Sequence, residues 1–399
     1  MSAPLLREDR PRIPPTDSPA RLHHLDALRG GALLLGVLLH ALMPFLPGGL
    51  WMVDDVHDSW SAVLVVGTIH LFRMSLFMML AGYFGRLVLQ RRGAVPYLKD
   101  RLLRIGLPLV AFWPGLFALI ALATVLDATR RGISLPADPA PGAPTGVLAL
   151  PTLHLWFLLL LLEILLVVLA VRVVLVKLLG PERSARAAAA IGSALSSPAG
   201  LLLAAVPYAA GLLLQRDVAG SLIEPYTLVP VAGASVAYAG AFLVGWFLQA
   251  RPGALERIQG RWILHLAAAL VLTPVSLLGA QALPLAVTAA ATALAGWAWV
   301  HALLGITARL VDREIPWVRY LADSSYWVYL GHLPLLMLAA VPLAPLDLPL
   351  LVKLALPLTM VLAVLLLSYD LCVRSTWIGA WLNGRRRPRA LGGRGRRGV

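Results

Sequence analysis

Asp26, Arg29 and His40 stand on one stripe of an otherwise apolar segment, Leu22-His23-His24-Leu25-Asp26-Ala27-Leu28-Arg29-Gly30 running into Gly31–Leu39. From Arg29 to His40 is eleven residues, which is roughly 16 Å of helix, or about half of a ~30 Å hydrocarbon core. Eleven steps of ~100° bring both side chains to the same side. Leu33 and Gly36 share that side, and Gly36 leaves room beside it. An ionisable group at such depth is costly and marks a functional site. Histidine exchanges its proton near neutral pH, so His40 is a candidate general base for a hydroxyl, or a covalent carrier of a transferred group. Asp26, three residues before Arg29, would orient it.

Further polar groups interrupt other apolar stretches. His70 and Arg73 lie three apart near the middle of a second span, with Phe77 on the same stripe. An arginine there needs a partner or a water-filled cavity, and the pair could stabilise an oxyanion or position an acceptor. Arg101 and Arg104 form an i, i+3 fork suited to phosphate or carboxylate, with Lys99 nearby; such a pair also serves as a topology anchor. A fourth span opens with His154-Leu155-Trp156-Phe157 and carries Glu163 nine residues after His154. Trp156 reads first as an interfacial belt residue. Glu163 has no route to water along its own side chain, so it is expected to pair with Arg73 or His40. Ser325, Tyr329 and His332 share one face of a ninth span. His154, Trp156, Glu163, Tyr329 and His332 are the candidate substrate contacts. His265 and His301 lie near span ends and carry little weight. The intramembrane histidines fall on separate helices without short ligand spacing, so no metal site is expected.

Those residues need long apolar helices to hold them. The chain has 399 residues, 59% hydrophobic and only 14% charged, which is the composition of a membrane protein. About ten spans are read, at roughly 25–46, 61–85, 104–126, 151–175, 199–214, 228–249, 262–280, 283–306, 325–344 and 348–371. The expected fold is an all-α, polytopic integral membrane helix bundle. The net charge is +14, and with a cytoplasmic N-terminus 29 of the 34 Lys and Arg fall in or beside cytoplasmic segments. Arg130, Arg131, Arg216 and Lys353 lie outside and Arg73 lies within a span. That asymmetry puts both termini in the cytoplasm.

Residues 1–20, polar and Pro-rich, read as a disordered cytoplasmic tail, 21–375 as the membrane domain and 376–399 as a basic cytoplasmic tail. The arginines of that last tail fit anionic inner-leaflet lipid better than nucleic acid. No cleavable signal peptide is read before the first span, which would act as a signal anchor. A short surface helix is expected within Lys177–Ser197, through the Ala187–Ala190 run. Cys372 is the single cysteine, so no intrachain disulfide can form. No internal repeat is visible, which weakens an inverted-repeat transporter reading.

The chain resembles the membrane acyltransferase 3 proteins. Arg29 and His40 match that family's arginine–ten residues–histidine signature, and Arg101 and Arg104 match its RxxR element. Phe77-Met78-Met79-Leu80-Ala81-Gly82-Tyr83-Phe84 is similar to its aromatic-rich small-Gly segment, with Ala81 where a serine often precedes the glycine. Ile69–Phe84, His154-Leu155-Trp156-Phe157-Leu158 and Ser325-Tyr326 through His332 look most like the branch named glucans biosynthesis protein C. The resemblance implies transfer of an acetyl or succinyl group from cytoplasmic acyl-CoA to a hydroxyl of a cell-envelope glycan, across a bacterial inner membrane. No permanently bound cofactor is implied; acyl-CoA is the donor substrate. Coenzyme A is a polyphosphate, so Arg101, Arg104 and Arg29 would take the donor, while His40, Arg29, Asp26, His70 and Arg73 would form the catalytic set. A transporter or flippase for an anionic solute or lipid-linked sugar could use the same buried charges. A non-catalytic partner in an envelope assembly, or an amine acceptor, are the other readings.

Overall fold

The computed structural model describes residues 23–49, 51–135, 144–218, 221–280 and 282–390, so the whole N-terminal tail, residues 1–20, and the last nine residues lie outside it. Among the described residues there is no strand. The helices are α1 (His23–Leu42), α2 (Trp60–Arg92), α3 (Ala94–Arg101), α4 (Leu107–Arg131), α5 (Trp156–Leu179), α6 (Pro181–Leu195) and α7 (Gly200–Gln215), followed by α8 (Ala232–Ala250), α9 (Ala254–Gln259), α10 (Trp262–Gly279), α11 (Leu285–Leu310), α12 (Pro316–Ala340), α13 (Leu350–Ser368) and α14 (Trp377–Asn383).

Eight described helices are long and apolar enough to cross a membrane. The expected fifth span is instead half of a broken pair, since α6 and α7 meet at 98°. α6 is the short helix expected within Lys177–Ser197. α12, the expected ninth span, is not among the eight, because it carries Arg319, Asp323, Ser324, Ser325 and His332 along its length. It also begins nine residues earlier than expected, so Ser325 lies well inside the helix rather than at its start.

Lipid tails are as apolar as leucine, so helices in a bilayer associate through close packing rather than hydrophobic drive. α2 and α8 show this directly. A Cβ on Gly82 would collide with the Phe242 carbonyl, and one on Gly245 with the Met79 carbonyl, so backbone lies on backbone. The glycine of the aromatic-rich segment thus sets the interhelical distance that brings α2 into the centre. Phe72, Met78, Met79, Phe242 and Trp297 fill the largest core around it.

Two π turns mark the arginine-rich face. The third span does not begin at residue 104; it continues α3 through a π turn, Leu102–Gly106, into α4. A π turn leaves a carbonyl without its regular partner, and such turns gather at functional sites. Here the Leu103 carbonyl accepts from Trp381 Nε1 at 2.7 Å and the Arg104 carbonyl from the Tyr326 hydroxyl at 2.8 Å. The second, Tyr369–Val373, ends α13.

The opposite face is closed by the segment after α1. Asp127 is fully buried and holds Arg130 Nη2 at 2.6 Å and Arg131 Nε at 2.9 Å, while Arg131 reaches Asp54 at 3.0 Å. Lys353 Nζ lies 2.8 Å from both oxygens of Asp55, with both side chains buried. Three of the four cations left outside by the charge asymmetry are therefore neutralised by outer-loop aspartates. Removing one partner of a buried pair strands the other. Lys353→Met should lower stability by about 3–5 kcal/mol, and adding Asp55→Asn should restore much of the loss. Thermal unfolding in detergent reads both; a single variant melting with the parent would show the pair to be idle.

Candidate functional site

A cavity of about 610 Å³ runs between the helices from Asp26, Arg29, Arg101 and Arg104 at one end to His40, His154 and Glu224 at the other. α1 forms one wall. Asp26 lies 3.5 Å from Arg29, which also donates to the Ala322 carbonyl at 3.2 Å. Ala32, Leu33, Gly36 and His40 continue the same wall, as the helical stripe requires.

His40 stands in the last turn of α1. It is enclosed because the chain then turns through Met43–Phe45 and folds back, laying Trp51 against the imidazole at 6.0 Å between ring centres. On its other side His332 lies 5.2 Å away, and His154 lies 5.5 Å beyond that. Two of these rings have fixed tautomers. His332 Nδ1 donates to the Tyr329 carbonyl at 2.7 Å, and His154 Nε2 to the Leu330 carbonyl at 3.0 Å. Each keeps one ring nitrogen as a lone-pair acceptor. His40 makes no hydrogen bond to any described residue, and its Nδ1 is buried without a partner. Among the described residues no group of His, Cys, Asp or Glu is spaced to hold a metal ion.

Arg73 is buried in the same wall. Its guanidinium occupies the place where a side chain on Gly36 would begin, with Nη1 2.8 Å from the position of a Cβ there. The room that Gly36 leaves on the stripe is the seat of Arg73. The attraction it feels comes from Glu224 and not from Glu163. Glu163 is half-buried and absent from the cavity wall. Leu158, Leu161 and Leu165 turn the inner part of α5 toward the cavity, and Glu163 points to the other side of the helix. His70 lies within electrostatic reach of His40 but outside the cavity wall, because it stands one turn beyond Arg73, where the α2 lining begins.

Glu224 comes from the loop between α7 and α8, which sequence spacing does not connect to Arg73. Thr152 ties that loop to the start of α5: its hydroxyl donates to the Pro225 carbonyl and its amide to the Tyr226 carbonyl at 3.0 Å. Trp156 is no belt residue. It is buried in the cavity wall that Glu224 also lines, with its ring 6.0 Å from that of Tyr238. Leu153 adopts a φ of +55° in the turn leading into α5, a backbone state that surrounding contacts must hold. Tyr329 donates to the His154 carbonyl at 2.6 Å and lines the cavity with Ser325 and His332.

At the arginine end, Asp100 holds Arg104 at 2.9 Å and lies 3.9 Å from Arg101, whose guanidinium sits 5.2 Å above the Tyr97 ring. The fork is thus preorganised by a carboxylate, an aromatic face and the π turn beneath it. Arg385 and Arg387, expected in a basic cytoplasmic tail, also line this mouth. The chain after residue 375 thus packs against the bundle through α14 and the segment to residue 390.

The chain matches the family described as Acyltransferase domain (Acyl_transf_3) over residues 22–369. It is 31% identical over 142 residues to glucans biosynthesis protein C of Salmonella paratyphi B and equally to that of Salmonella heidelberg, covering 35% of this chain and 36% of each relative. The chain thus spans about a third of the length of the curated relatives it matches. No solved structure matches it.

Burial raises the Glu224 carboxyl from its ordinary 4.5 to about 7, against the opposing pull of Arg73. The folded protein then keeps a proton that the unfolded chain has released over this window, so stability falls as pH rises from 4.5 to 7. Glu224→Gln should flatten that slope. Thermal unfolding at acidic and alkaline ends of the window checks it; parallel curves for the two proteins would remove Glu224 from the buried charge set.

Proposed function

Because the chain belongs to the membrane acyltransferase 3 family, we propose that it moves a short acyl group, acetyl or succinyl, from acyl-CoA at the arginine-rich face to a hydroxyl of a cell-envelope carbohydrate at the opposite face. The observation that carries this reading is the continuity of one cavity from the Arg29–Arg101–Arg104 mouth to the His40–His332–His154 cluster. The reading places the protein in the bacterial inner membrane, with acyl-CoA and the carbohydrate as partners and anionic lipid beside the basic tail.

The donor enters polyphosphate outward, with its charge on Arg101 and Arg104 and its thioester directed inward past Arg29. The acceptor hydroxyl reaches the other end beside His154, Trp156, Tyr329 and Glu224. The hydroxyl oxygen attacks the thioester carbonyl as its proton passes to His40, whose ring has no competing hydrogen bond. The carbonyl becomes an oxyanion, for which Arg73, seated against Gly36 one turn from His40, is the cation. The C–S bond then breaks, and the proton on His40 goes to the CoA thiolate. His332 and His154 pack behind the base, tilted and edge-on, with fixed tautomers, which keeps His40 in register. The resemblance of a third of the chain to glucans biosynthesis protein C supports a glucan-like acceptor.

His40→Ala should lower transfer by about 10²–10⁴-fold, the usual worth of a positioned general base, with membrane insertion intact. CoA thiol release in proteoliposomes, with mass spectrometry of the acceptor, measures it. Turnover retained in both His40→Ala and Arg29→Ala would sink the assignment. A solute carried across the membrane without thiol release would point to a transporter. Replacing Arg101 and Arg104 together should raise KM for acyl-CoA more than it lowers kcat; an unchanged KM would remove the phosphate-fork role.

A further inference from the structure

After α14 the chain does not leave the protein. Gly384 turns it with a φ of +78°, and the Arg104 guanidinium occupies the space where a side chain on Gly384 would begin. A larger residue there would be strained in backbone and would displace Arg104. From this turn the segment to residue 390 is fastened along the arginine-rich face. The Arg387 amide donates to the Arg374 carbonyl at 2.8 Å, and its guanidinium pairs with Asp323. Arg374 Nε donates to the Pro388 carbonyl at 2.7 Å, and Asp370 accepts the Ala390 amide at 2.8 Å. On the near side, Asn383 donates to the Asp323 carbonyl at 3.0 Å and Trp381 to the π-turn carbonyl of Leu103.

Arg385 sits between these two anchorages and lines the cavity mouth with Arg29, Arg101 and Arg104. Its neighbours there are partly neutralised: Arg29 by Asp26, Arg101 and Arg104 by Asp100, Arg387 by Asp323. Arg385 makes no hydrogen bond or ion pair with any described residue. A guanidinium held at a cavity mouth by a backbone tied on both sides, with its own donors free, is a preorganised anion site. Arg386, exposed as Arg385 is, is not part of the cavity wall.

We propose that the segment 384–390 is a strap belonging to the donor site, and that Arg385 takes a phosphate of the CoA thioester alongside Arg101 and Arg104. This rests on the acyl-CoA reading above. The phosphate comes from the donor, and an anionic lipid headgroup at the same arginine is the alternative source to be separated. The fork then meets one part of the polyphosphate and Arg385 another, which confines the donor to the cavity mouth with its thioester inward.

The test uses the full chain in phosphatidylcholine proteoliposomes, with acetyl-CoA and succinyl-CoA as donors and the corresponding dephospho-CoA thioesters as probes. Arg385→Ala should raise KM for the donor by about three- to ten-fold, as loss of one charge-assisted contact does, with kcat within about twofold. The same variant should lose less against a dephospho donor if the missing phosphate is the one it holds. Arg386→Ala, exposed and outside the mouth, should keep the parent KM. A parent-like KM in Arg385→Ala, while the Arg101/Arg104 double variant raises it, overturns the strap assignment and leaves the donor reading standing. Absence of any CoA-thioester turnover by the parent overturns the donor reading itself. An Arg385→Ala effect confined to vesicles containing phosphatidylglycerol assigns the arginine to lipid and also overturns the proposal.

Discussion

Arg73 fixes the organisation of the membrane interior. A guanidinium among apolar helices is tolerable only with space, an opposite charge or water, and the structure supplies all three requirements from different parts of the chain. Gly36 on α1 gives the space. Glu224, on a loop far away in sequence, gives the charge. The cavity between them gives access to polar ligands. Each provision constrains the others. Gly36 must face α2, which aligns the whole Asp26–Arg29–His40 stripe with the cavity; the Glu224 loop must dip inward, which is why Thr152 clips it to the start of α5.

The same arrangement gives the histidines their order. Two rings, His332 and His154, spend one nitrogen each on backbone carbonyls of α12, and so act as fixed walls. His40 alone among the three has no such bond to a described residue. A ring that is packed by Trp51 and His332 yet spared hydrogen bonds can exchange a proton without first breaking a bond to the protein. The three similar side chains therefore take unlike parts, and what separates them is hydrogen bonding rather than residue type.

The sequence carries the stripe and the fork because both are local. Helical spacing alone places Arg29, Gly36 and His40 on one side, and spacing places Arg101 beside Arg104. Ser325, Tyr329 and His332 share a wall of the cavity for the same reason. What spacing does not carry is which helix a deep charge meets. Glu163 has the depth expected of a partner for Arg73, but the leucines of α5 claim the cavity side. Glu224 supplies the opposite charge instead, on a loop whose path is set by the hydrogen bonds of Thr152. Trp156 has the residue type and span-end position of a belt residue, yet it is buried because its ring packs against Tyr238 in the cavity wall. The arginines after residue 384 read as a tail for a related reason: nothing local announces that Asp323 and Asp370 would hold them.

The two ends of the cavity differ in how their charge is arranged, and that difference gives the site a direction. On the closed face three cations are spent on carboxylates: Arg130 and Arg131 on Asp127 and Asp54, Lys353 on Asp55. Such pairs leave little field for an anionic ligand and serve to hold the segment carrying Trp51 over His40. On the arginine-rich face the carboxylates are outnumbered, because Asp100 is shared by Arg92, Arg101 and Arg104. The residual positive potential at that mouth attracts a polyanion, and the apolar walls between it and His40 admit only the uncharged or singly charged part of such a molecule. On the proposed function, a phosphate-bearing donor would approach from that face with its headgroup retained there. The opposite end, lined by Glu224, Trp156, Tyr329 and His154, offers aromatic faces and hydrogen-bonding groups, which is the surface that a neutral polyhydroxyl acceptor requires.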